Sequence, residues 1–242
     1  MRRRRATWQP LLAGLCGVAV VAFASAPEPE WESRPVRGWA VHVSRRLVSE
    51  QPAATARALD LLDEELEEIE RVMPAAAVEK LREVPLYFSP EYDGVRPTAE
   101  YHPNPGWLRE HGRDPRMARG VEFTNVARFA QELDRMPTFV LHELAHAYHH
   151  RVLPAGFGNA DVARAHERAR DAGLYDSVER RYGSGRPRTT ERAYAITNPQ
   201  EFFAEATEAF FGRNDFFPFV RADLLRHDPA TAEMVAAAWG VR

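Results

Sequence analysis

The chain carries one cysteine, Cys16, and one lysine, Lys80, among 242 residues. A lone thiol cannot form an internal disulfide, so any metal site has to be built from histidines and carboxylates. Cys16 lies in an apolar run behind Leu15, where lipoprotein-type modification would want a small residue, and it reads as packing filler. The scarcity of lysine carries no functional message. No stretch interleaves basic residues with aromatics, which argues against a nucleic-acid surface. Long hydrophobic runs are missing too: the one candidate, Leu11 to Ala24, is too short for a comfortable membrane span. There is no internal repeat, and no low-complexity segment beyond a proline-rich stretch near residue 30.

What is present is an ordinary globular balance, 45% hydrophobic and 28% charged, enough for one sizeable core. Residues 1–26 have the build of a secretory signal peptide: a basic start at Arg2 to Arg5, the apolar run, then Ala24-Ser25-Ala26 as a small-residue cleavage site. The expectation is a secreted or periplasmic protein without a stable membrane span once processed, an uncleaved anchor being the alternative. Losing those four arginines would take the formal net charge from −3 to −7. Residues 27–37 read as a flexible lead-in and residues 38–242 as a single domain.

Within that domain Trp39 to Val43 alternates like a strand, leaving His42 toward solvent or a polar layer. A helix follows Pro52 to about Met73, with Leu59, Leu62, Leu66, Ile69 and Met73 at steps of three and four and a solvated acidic face opposite. Val84 to Phe88 is a second strand. The turn-rich stretch from Ser89 to Gly120 holds Tyr101, His102 and Trp107, candidates for a cleft rim. Gly120 to Asn125 reads as a third strand, expected at the sheet edge where an extended substrate could pair with it. Ala160 to Ala172 reads as a helix whose His166 faces solvent.

The stretch from Leu141 to His150 contains His142-Glu143-Leu144-Ala145-His146, the pattern H-E-x-x-H. On a helix, two histidines one turn apart share a face and can grip one zinc ion while the glutamate between them activates a water. The surrounding Phe, Val, Leu, Ala and Tyr make the helix apolar on nearly every side, and buried histidines without partners cost several kcal/mol. The extended three-histidine pattern fails, because His149 stands where glycine is required and Val152 where the third histidine belongs. His149 and His150 are expected to act as helix C-terminal cations or to support the metal-bound histidines.

A third ligand is then needed. Asn198 to Gly212 reads as a helix opened by Pro199 and ended by Gly212, with Glu201, Glu205 and Glu208 along one stripe. Zinc sites of the two-histidine, one-glutamate kind draw a carboxylate from a later helix. The run from Tyr194 to Ala206, Y-A-I-T-N-P-Q-E-F-F-A-E-A, closely resembles the ligand-bearing segment of the lethal-factor-like gluzincin metallopeptidases, a group that includes the Pro-Pro endopeptidases. The resemblance covers about Thr138 to Gly212. It implies that Glu201 is the third zinc ligand, that Tyr194 stands beside the metal and supports the transition state, and that Glu205 is a hydrogen-bond partner of a zinc-bound histidine. Glu208 is expected to leave metal affinity unchanged.

The expected fold is therefore α+β, a zincin-like metallopeptidase domain with a small mixed sheet, an active-site helix and a C-terminal helical part. The expected function is a secreted zinc endopeptidase acting on a peptide or protein substrate, with one zinc per chain and Glu143 as general base. The alternatives are a non-catalytic zinc-binding module and a zinc amidase acting on cell-wall peptides. Glu143 favours an enzyme, since a purely structural site has no use for it.

Overall fold

The computed structural model describes residues 30–241; the signal-peptide reading of residues 1–26, Cys16 included, lies outside them. The chain begins with a hairpin, β1 (Trp31–Val36) and β2 (Trp39–Ser44), and continues through α1 (Arg45–Glu50), α2 (Pro52–Val72) and α3 (Ala75–Arg82) to β3 (Leu86–Phe88). Then come β4 (Ala99–Tyr101), α4 (Pro105–Glu110), β5 (Val121–Phe123), α5 (Phe129–Arg135) and α6 (Phe139–Arg151). The last part is α7 (Ala160–Asp171), a small hairpin of β6 (Val178–Arg180) and β7 (Thr189–Glu191), α8 (Pro199–Phe211), α9 (Arg221–His227) and α10 (Pro229–Trp239). The class is α+β with a small mixed sheet.

The five-stranded sheet has the order β1-β2-β3-β5-β4. β2, β3 and β5 run parallel, while β1 and β4 close the two ends antiparallel. Two expectations change here. Residues 31–36, within the supposed flexible lead-in, form β1, because Arg37 and Gly38 both take positive φ (46° and 86°), the conformation a tight two-residue hairpin requires. Pro35 is tolerated because β1 is an edge strand. The strand upstream of α6, β5, is interior rather than an edge. The open edge belongs to β4, a three-residue strand inside the stretch that had read as loop.

One face of the sheet carries the main core. Val41 and Val43 of β2, Leu86 and Phe88 of β3, and Val121 and Phe123 of β5 pack with Leu62 and Leu66 of α2, Phe139 and Leu144 of α6 and Phe203 of α8. Each such fully buried side chain contributes roughly 1.5–3 kcal/mol, so the sheet, α2 and α8 together hold α6 in place. The opposite face is covered by the segment around α4, where Tyr87, Leu108 and Met117 form a small cluster of their own. His166 is buried as well, its Nε2 3.4 Å from the Ile196 carbonyl and its ring against Phe202, because α7 packs on α8. Among the described residues no helix is long and apolar enough to cross a membrane.

Candidate metal centre

Helices α6 and α8 run antiparallel, and a ladder of contacts fixes their register. At one end a β-carbon added to Gly212 would collide with Thr138 Cγ2, so the helices approach closely only because residue 212 is glycine. The Thr138 hydroxyl lies 3.0 Å from Glu208 Oε2 and 2.7 Å from the Arg213 carbonyl, and its single proton serves one of them at a time. One turn along, His142 Nδ1 lies 2.6 Å from Glu208 Oε1. One turn further, His146 faces Glu201. Asn198 caps α8 by accepting from the Glu201 N–H at 2.9 Å, and Pro199 occupies the first turn. Glu201 thus sits where the helix dipole favours a carboxylate.

The result is a cluster of three groups: His142 Nε2 and His146 Nε2 are 3.1 Å apart, with Glu201 Oε2 at 3.1 Å from the first and 3.4 Å from the second. Because the Glu208 carboxylate can only accept, the proton of neutral His142 belongs on Nδ1, and Nε2 keeps its lone pair. With His146 Nε2 likewise unprotonated, two lone pairs and a carboxylate oxygen would face one another, a donor set suited to a shared cation. A tetrahedral zinc with Zn–N of about 2.0–2.1 Å would set ligand atoms about 3.3 Å apart, and the three separations fall on either side of that value. These residues could hold a metal ion. The same demand for positive charge appears in the protonation of the bare site. Burial disfavours the His142 cation, yet Glu201 and Glu208 raise its pKa well above the usual histidine range. Burial likewise opposes the Glu201 charge, but hydrogen bonds from His142 and His146 hold its pKa well below the ordinary carboxylate range.

Glu143 points the other way, toward the sheet edge. Its Oε2 accepts from the Tyr101 N–H of β4 at 2.8 Å. Burial, opposed by His142 and His146, raises its pKa. Flanking the β4–β5 pair, the His102 N–H donates to the Gly120 carbonyl and the Thr124 N–H to the Thr98 carbonyl, so the backbone groups of Ala99 and Tyr101 face outward. They border a cleft of about 990 Å³ that also contains His142, Glu143, His146, Tyr194 and Glu201. Tyr194 stands on its wall, half exposed, its hydroxyl pKa raised by burial and by the Glu201 charge.

The remaining candidates part company. Glu205 does not hold a histidine: its Oε2 accepts from Asn214 Nδ2 at 3.2 Å, and the histidine contact expected of it is made by Glu208. Both acids lie on the buried side of α8, and it is the antiparallel register that sets Glu208, rather than Glu205, opposite His142. Burial, with the charges of Asp215 and Glu208 added, pushes the Glu205 pKa well above the ordinary range. His149 is neither a C-terminal cation nor a support. It is fully buried against Phe157 and Phe203, neither ring nitrogen has a partner, and burial lowers its pKa to about 4. His150 Nδ1 pairs with the Tyr101 hydroxyl at 2.8 Å. Tyr101 and Trp107 do line the cleft, whereas His102 is buried beneath it. Glu208 was the residue missed; its one signal is a flank of Ala206, Ala209 and Phe210, unusual for a solvated acid.

The chain matches no family model, no curated protein and no solved structure.

Proposed function

We propose that the protein is a zinc endopeptidase of the gluzincin type, and that His142, His146 and Glu201 hold one zinc ion. The observation that carries this reading is the convergence of two histidine nitrogens and a carboxylate, with a second acid, Glu143, beside them and turned to the open edge of the sheet. A resident zinc would lower the pKa of a water and polarise a substrate carbonyl. The other functions fall to the chain. Glu208 holds His142 in the tautomer that leaves Nε2 free. An extended peptide would lie along β4 and pair with the outward backbone of Ala99, an interaction that gives affinity without reading side chains. Glu143 would take the proton of the attacking water and pass it to the leaving amine. Its raised pKa suits that exchange better than an ordinary carboxylate would. The Tyr194 hydroxyl would donate to the oxygen on which negative charge develops. Export, suggested by residues 1–26, fits a site built without thiols.

The test compares wild type with Glu143→Gln. Wild type should cleave a denatured-protein or peptide library. The variant should keep about one zinc per chain, since Glu143 is not among the ligands, while cleavage is abolished. A wild type that binds zinc yet leaves every library intact would sink the peptidase reading in favour of a binding module. Cleavage confined to cell-wall peptides would favour the amidase.

A further inference from the structure

The edge strand β4 is short, and its own sequence does little to hold it. It has three residues, flanked by Pro97 and Pro103, and it lies directly opposite β5 with Glu100 facing Glu122, a like-charge pair that alone would push the strands apart. Glu122 is completely buried. A buried carboxylate survives only with partners, and besides Ser89 its side-chain partners come from the segment that forms this wall of the cleft. The Tyr92 hydroxyl donates to Oε1 at 2.8 Å, and His102 Nε2 and Arg113 Nη1 lie 2.9 and 3.2 Å from Oε2. Burial works against the charge of Glu122, but hydrogen bonds from His102, Ser89 and Tyr92 hold its pKa below the ordinary carboxylate range.

Arg113 closes the arrangement. The same Nη1 reaches Glu100 at 2.6 Å, so one guanidinium bridges the two opposed acids. Its guanidinium carbon lies over the rings of Tyr92 and Trp107, at 5.0 and 4.9 Å from their centroids. Three points of the wall, one before β4, one just after it and one beyond α4, are thereby tied to a single carboxylate on an interior strand. The cleft side of β4 then presents the Tyr101 N–H to Glu143 and the Ala99 backbone to whatever occupies the cleft.

We propose that Glu122 is a positioning residue: through Tyr92, His102 and Arg113 it fixes β4 as a rigid wall at the height that Glu143 and an extended substrate require. Its substrate arm rests on the peptidase reading above; its structural arm does not.

The test uses the full chain with zinc bound and the variants Glu122→Gln and Tyr92→Phe, the second removing one hydrogen bond and leaving the ring in place. Glu122→Gln should speed amide hydrogen exchange at Tyr101 and His102 about tenfold, with α6 and α8 unchanged. With a peptide chosen from the wild-type cleavage profile, its KM should rise about tenfold while kcat stays within about twofold and zinc is retained. Tyr92→Phe should shift exchange and KM in the same direction by about threefold, and it decides the matter alone if Glu122→Gln does not fold. Unchanged exchange in folded protein would overturn the proposal. So would faster exchange with KM unaltered, since the wall would then be structural and idle. A wild type that cleaves nothing would count against the peptidase reading, and the exchange comparison would still decide whether Glu122 holds β4.

Discussion

The two helices of the candidate metal centre differ in how they commit their residues. On α6 the pair His142 and His146 is set by helix geometry alone, because positions four apart must share a face. On α8 three acids, Glu201, Glu205 and Glu208, share one stripe and one chemistry, and only the partner helix separates them. Glu201 meets the two histidine nitrogens, Glu208 holds His142 from behind, and Glu205 turns to Asn214. Local spacing can nominate a pair of ligands; the roles of like residues on a second helix are assigned by register.

Substitutions on α8 test that assignment in order of effect. Glu201→Ala removes a ligand atom and should lower zinc affinity by more than about a hundredfold, beyond what loss of a supporting residue costs; competition with a chromophoric chelator measures it. Glu208→Ala should lower affinity by about ten- to a hundredfold, reversing the expectation from sequence that it would do nothing, because His142 loses the acceptor that fixes its tautomer. Equal affinity in wild type and Glu208→Ala would break the comparison at its main point. Glu205→Gln should be the mildest. Burial beside Asp215 and Glu208 raises its pKa and so favours the uncharged form that the amide imitates, and zinc affinity should stay within about twofold.

Between these extremes lies a test on the rear of α6. With a folded pKa of about 4 against the ordinary 6.5, His149 binds its proton more weakly when folded. Its neutrality costs nothing above pH 6.5. Below that, the unfolded chain gains protons first, and stability is lost as pH falls from 6.5 toward 4, by up to about 3 kcal/mol. His149→Leu should remove that slope and be neutral or stabilising at pH 7, since no hydrogen bond is given up. Urea unfolding at pH 7 and pH 5 checks both signs.

Much of the site was legible because its signals are short-range. H-E-x-x-H and the Pro199 opening and Gly212 ending of α8 lie within single elements, whereas Glu201 stood out from its acidic stripe only through the resemblance to the gluzincin segment. The illegible parts depend on contacts between elements. β1 hides in a proline-rich segment because its hairpin turn uses Arg37 at positive φ, which no turn dipeptide announces. β4 is too short to show alternation, and the edge role was given to β5 because chain order does not reveal spatial order. His149 looks like a helix-end cation by position, and only packing against Phe157 and Phe203 shows it neutral. Gly212 marks a helix end in sequence, yet its second duty is to let Thr138 approach.

The central claim is that one metal ion sits between His142, His146 and Glu201. Anomalous diffraction from crystals of the zinc-loaded protein, recorded on both sides of the zinc absorption edge, tests it most directly. The account predicts one strong peak per chain within about 2.0–2.2 Å of both Nε2 atoms and a Glu201 oxygen. A peak bound by Glu205 or Glu208 instead, or none at this cluster in protein that retains zinc, would contradict it.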